Sequence, residues 1–213
     1  MCYIILMDKT KSRVEGTFFL ELVGIFMLPP VALYLSKTKT QAHLVVLIFA
    51  VILLLAIIAR EKMNFADLGI GRKFLVSGFV PYLLFTIIGV LGIKFFANKF
   101  GFETYYNWWN NAQFLTLFIP LSIAQEFAYR SFLMPHLRSI FKEATTVILV
   151  NAGLFAMLHL FYPEPALVLP LAFIGGLGFA TLYYMYPNFW LASFAHIIFN
   201  FVAVSSGFFV IVS

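Results

Sequence analysis

Five polar side chains in the second half of the chain have the types and spacing to do chemistry: Glu126, Arg130, His159, His196 and Asn200. Glu126 and Arg130 stand four residues apart, as do His196 and Asn200, so each pair shares one face of a helix. Ser122 extends the first stripe by a turn, and Phe155 and His159 repeat the same interval with Asn151 one turn back. A carboxylate polarises water or takes its proton, and two imidazoles divide acid and base work or bind a metal. An amide such as Asn200 donates to a developing oxyanion, and the Arg130 guanidinium orients Glu126. Together these parts fit hydrolysis of a peptide bond by activated water. Glu126, His159 and His196 would equally fill three positions of a tetrahedral Zn²⁺ centre, with water as the fourth ligand; a metal-free mechanism uses the same side chains. Taken singly, each has a plainer use, as a neutralised ion pair, a hydrogen-bonded core histidine or a polar link between helices.

The elements that must position these residues are membrane helices. Of 213 residues, 62% are hydrophobic and 11% charged, against roughly 25% charged in a soluble domain. That much apolar surface cannot be hidden inside a wetted globule of this size. A water-soluble enzyme, a disordered chain and a disulfide scaffold are all excluded, the last because Cys2 is the only cysteine. The charge of +5 reads as a loop-orientation signal, with no nucleic-acid partner implied.

An apolar run of about 20 residues is needed to cross a bilayer. Seven such runs are present, at roughly 16–36, 41–59, 74–96, 112–135, 146–162, 165–186 and 188–212. The expected fold is therefore all-α, a polytopic bundle of about seven transmembrane helices. A short tail at 1–15 precedes a single membrane domain at 16–213, whose motif-bearing core is 112–213. The first seven residues are apolar but too few to span, and without a basic leader they do not read as a signal peptide. Short links at Pro163-Glu164-Pro165 and Pro187-Asn188 force antiparallel neighbours. Lys9, Lys11, Arg13, Arg60, Lys62, Arg72, Lys73, Arg138 and Lys142 fall on the N-terminal side, while Lys37, Lys39, Lys94 and Lys99 fall opposite. This bias predicts a cytoplasmic N-terminus in the cell membrane. Tyr105-Tyr106-Asn107-Trp108-Trp109-Asn110 reads as an interfacial aromatic belt. Ala172, Gly176 and Ala180 form a small-residue stripe suited to packing between helices of one chain.

Charged groups near mid-membrane are costly, at about 2.5–3.5 kcal/mol each, and are functional by default. Here the polar groups concentrate on spans four, five and seven. At 1.5 Å per residue, Glu126, His159 and His196 fall at depths of about 14, 20 and 12 Å from the N-terminal side, compatible with one meeting point. The expectation is that Glu126 or Gln125, His159, His196 and Asn200 line one cavity.

Three motifs carry a family resemblance. They are Gln125-Glu126-Phe127-Ala128-Tyr129-Arg130, Phe155-Ala156-Met157-Leu158-His159 and His196-Ile197-Ile198-Phe199-Asn200. In this order, each on its own span, they resemble the CPBP intramembrane protease family, also called the CAAX-protease and bacteriocin-processing or Abi family. The family's patterns are two Glu followed after three residues by Arg, then Phe-x-x-x-His, then His-x-x-x-Asn. The likeness covers about residues 112–213. It implies an all-helical membrane fold with a polar cavity open to one face and sideways to lipid. It also implies endopeptidase activity on prenylated or other membrane-associated peptides, with a glutamate and histidines activating water; members are often called metalloproteases. Other members serve bacteriocin immunity and scaffolding.

One position departs from the family pattern. Gln125 stands where the family usually has the Glu taken as water activator, and an amide cannot accept that proton. Either Glu126 does the work, or the chain hydrolyses weakly and acts as a membrane scaffold. A proton-coupled transporter using Glu126 and the histidines is the third reading.

Overall fold

The structure, a computed structural model, describes residues 18–28, 31, 40–104, 116, 118–160 and 164–208. The expected N-terminal tail, the aromatic belt at 105–110 and Pro163 lie outside these residues. Every regular element among them is helical. In chain order they are α1 (Phe18–Leu28), α2 (Thr40–Glu61), α3 (Leu75–Lys99), α4 (Ile119–Glu126), a π-helical turn (Phe127–Leu133), α5 (Met134–Ile140), α6 (Ala144–Met157), α7 (Pro165–Met185) and α8 (Phe189–Ser205).

Among the described residues, α3 and α7 are each long and apolar enough to cross a membrane unaided. α2, with 22 residues, also has the length to span, whereas the fifth expected span is shorter. α6 has 14 residues, about 21 Å of helix against a hydrocarbon core of about 30 Å. Its predicted end at 162 gives way to a turn at 158–160, because the apolar run continues past the last helical residue. The fourth span runs on to Ile140, beyond the expected 135. Pro135 sits just past the π turn, where α5 takes over.

Helix direction alternates along the described chain, as contacts at the two ends show. At one end, Tyr183 Oη donates to the Leu68 carbonyl at 2.9 Å and Asn188 Nδ2 to the carbonyls of Gly71 and Lys73 at 3.1 and 2.9 Å. There too, His136 Nε2 meets Glu61 Oε2 at 2.8 Å, and Arg138 donates to the Tyr184 carbonyl. Gly69 belongs here because its φ is +65° and a Cβ would strike the Tyr183 hydroxyl. At the opposite end, Phe102 stacks on Phe208 with centroids 4.6 Å apart. Arg60, Lys62, Arg72, Lys73, Arg138 and Lys142 all lie in the segments joined at the first end.

The exterior suits hydrocarbon and not water. Val76, Leu91 and Phe95 on α3 are between 61% and 87% exposed. The interior centres on the π turn, where Tyr129, Arg130, Ser131, Phe132, Leu133 and Met134 are buried in unbroken succession. Such a run is possible only for a helix enclosed on all sides. The small-residue stripe packs within the chain, as expected: a Cβ on Gly176 would press on Phe155 and the Ala152 backbone of α6.

Candidate active site

α4 and α8 are joined side by side through two polar pairs. His196 Nδ1 donates to Glu126 Oε1 at 2.7 Å, and Asn200 Nδ2 donates to Ser122 Oγ at 2.8 Å. Stepping one turn back along α4 pairs with stepping one turn forward along α8. The register is therefore antiparallel, and the two four-residue intervals in the sequence interlock.

Arg130 sits behind this seam. Its Nε lies 3.5 Å from Glu126 Oε2, and both side chains are fully buried. Its Nη1 donates to Asn151 Oδ1 at 2.9 Å, and Asn151 Nδ2 donates to the Tyr129 carbonyl at 2.7 Å. The guanidinium carbon lies 4.8 Å from the Phe155 ring centroid and 5.5 Å from that of Phe179. These two rings also flank the His196 imidazole, at 5.6 and 5.4 Å. One aromatic pair thus holds both the cation and the imidazole. π turns recur at functional sites because they redirect side chains, and here the turn begins immediately after Glu126 and carries Arg130.

His159 follows α6 in a turn, with Nδ1 3.3 Å from the Phe155 carbonyl. His159, His196 and Asn200 share the wall of a cavity of about 300 Å³ between α3, α6, α7 and α8. The rest of the wall is apolar, including Ile88, Phe96, Leu171 and Phe199. The expected convergence thus holds for three residues. Glu126 stands one residue behind the wall, reaching the cavity through His196. Gln125 is buried on α4 but is not among the lining residues.

The expected zinc ligands are not gathered. Among the described residues no three His, Cys, Asp or Glu side chains come together as a metal-holding group. Glu126 Oε1 and His196 Nδ1 bond each other, so these two atoms do not stand as separate ligands for one ion.

Two features escaped the sequence reading. Asn151 was visible one turn from Phe155, but its service to Arg130 was not. His136 of α5 is buried and paired with Glu61 of α2, a partner 75 residues away that sequence spacing does not show.

The Glu126–His196 contact fixes the chemistry on offer. An ionised carboxylate only accepts, so His196 Nδ1 carries a proton, and in the neutral imidazole Nε2 then keeps a lone pair. Imidazoles oriented in this way act as general bases. No curated protein and no solved structure matches the chain. Residues 107–202 match the model of the Rce1-like family, described as type II CAAX prenyl endopeptidase Rce1-like; the match spans all three motifs, and this is the protease family that they resemble.

Proposed function

We propose that the chain is an intramembrane endopeptidase that hydrolyses a peptide bond of a membrane-associated peptide, prenylated or exported, by activated water. The observation that carries this reading is the buried Glu126–His196 pair backing an apolar cavity that also exposes His159 and Asn200. An apolar wall with a few convergent polar groups is the usual form of a substrate site. His196 Nε2 takes a proton from water as it attacks the peptide carbonyl. Glu126 holds the imidazole in the required tautomer and faces the imidazolium that forms. Asn200 donates to the oxyanion, and the His196 imidazolium gives that same proton up, passed through His159 on the same wall, to the leaving amine. Glu126 thus works through His196, not on the water. The substrate is a peptide reached from the lipid bilayer, and the basic end of the bundle faces the cytoplasm with the N-terminus.

The test is cleavage of a membrane-tethered peptide by purified protein in vesicles, with products read by mass spectrometry. Parent protein should cut at one bond, and His196→Ala and His159→Ala should not. A second reading, a weakly active scaffold, is favoured by Gln125 at the position where the family carries its water-activating Glu. It is supported if the parent cleaves nothing and its cellular effect survives His159→Ala.

A further inference from the structure

We propose that Ser122 is a positioning residue that fixes which way the Asn200 amide faces, a role that rests on the peptidase reading above. Ser122 is fully buried on α4, one turn before Glu126. A serine hydroxyl has one hydrogen to give and two lone pairs to receive with. Here the hydrogen goes to the Phe118 carbonyl, four residues back, at 2.7 Å. Oγ is then an acceptor only, and what it accepts is Asn200 Nδ2, at 2.8 Å. Turning the amide over would set Oδ1 against an oxygen with no hydrogen left, and two buried acceptors would face each other. A simple link between helices would tolerate either orientation, since a free hydroxyl donates as readily as it accepts. The bond to Phe118 removes that freedom.

The consequence reaches the cavity through Asn200, which lines it, whereas Ser122 does not. Nδ2 carries two hydrogens and Ser122 uses one, so the second remains available to a substrate oxygen. α4 therefore holds both polar groups that α8 offers the cavity: Glu126 sets the tautomer of His196, and Ser122 sets the rotamer of Asn200.

The experiment compares parent, Ser122→Ala, Ser122→Thr and Asn200→Ala, together with Ser122→Ala in the Asn200→Ala background. Protein selectively labelled with ¹⁵N-asparagine in lipid nanodiscs reports the Asn200 side-chain amide, assigned by its loss in Asn200→Ala. Ser122→Ala should shift that amide pair and speed its hydrogen exchange, and Ser122→Thr, which keeps the hydroxyl, should leave it near the parent. Cleavage by Ser122→Ala should fall about 10–100-fold in kcat with little change in KM, the usual effect of losing a group that orients a site residue. The same substitution should cost nothing further once Asn200 is alanine. An unchanged Asn200 amide in Ser122→Ala, or losses that simply multiply in the double variant, would overturn the proposal. If no protein in the series cleaves peptide, the peptidase reading fails, while the amide spectrum still decides the role of Ser122.

Discussion

Arg130 is the most heavily engaged side chain of the site. It meets Glu126, Asn151 and two aromatic rings, and no part of it reaches the surface. Removing one partner of a buried pair strands the other, at about 3–5 kcal/mol. Arg130→Ala should therefore lower the melting temperature in detergent along with activity. Arg130→Lys should recover only part, because an ammonium cannot bond Asn151, approach Glu126 and keep both the Phe155 and Phe179 rings in reach at once. Melting of Arg130→Ala at the parent temperature would contradict the observed burial. At this scale the sequence was most legible where two polar residues share a helix face. The intervals 122–126 and 196–200 are visible in one dimension, and helical geometry turns them into a seam. What spacing could not show was which member faces the cavity. Glu126 and Gln125 differ by about 100° around a helix, and nothing in their order says that neither lines the wall.

Among the elements, α8 depends most on a single residue outside it. Asn188 caps the helix, its Oδ1 accepting from Leu191 N at 3.0 Å, while its Nδ2 satisfies two carbonyls of the α2–α3 connection. Loss of a cap costs typically about 1 kcal/mol, and two part-buried carbonyls lose their donor besides. Asn188→Ala should thus destabilise well beyond a simple cap deletion. Asn188→Asp, which keeps the cap and loses the donors, should fall between, and thermal melting of the three proteins separates the two parts. A similar argument applies between α6 and α7. Gly176→Leu should cost about 1–3 kcal/mol by overpacking, because Phe155 and the Ala152 backbone already occupy the space. That stripe was legible as small residues at four-residue intervals. The π turn was not legible, since its five-residue hydrogen-bond pattern comes from packing around Phe127–Leu133 and leaves no mark in an apolar run. Helix ends were likewise blurred where apolar residues continue into a turn, as at Leu158 and Leu160.

Across the whole molecule, alternating helix direction places the α2–α3 and α5–α6 connections at one end and the α3 C-terminus at the other. With Cys2 replaced by serine, single cysteines at the exposed Lys62 and Lys142 should react with an impermeant thiol reagent from one side of the membrane. A cysteine at the exposed Lys99 should react from the other. The basic bias predicts that the first side is cytoplasmic; labelling of all three from one side would break the topology. The bundle was legible from hydropathy because hydrocarbon demands long apolar runs. Its cavity was not, because an apolar wall such as that formed by Ile88, Phe96, Leu171 and Phe199 reads in sequence like any lipid-facing or core surface.

The claim at the centre is that Glu126 acts by orienting His196. It is tested most directly by assaying Gln125→Glu and Glu126→Gln beside the parent for cleavage of a membrane-tethered peptide. Glu126→Gln should lose about 10²–10⁴-fold in kcat, the range expected when general-base catalysis is removed. Gln125→Glu should gain nothing, since it buries a second carboxylate beside the first without reaching the cavity wall. A strong gain from Gln125→Glu, or cleavage undiminished in Glu126→Gln, would contradict the account.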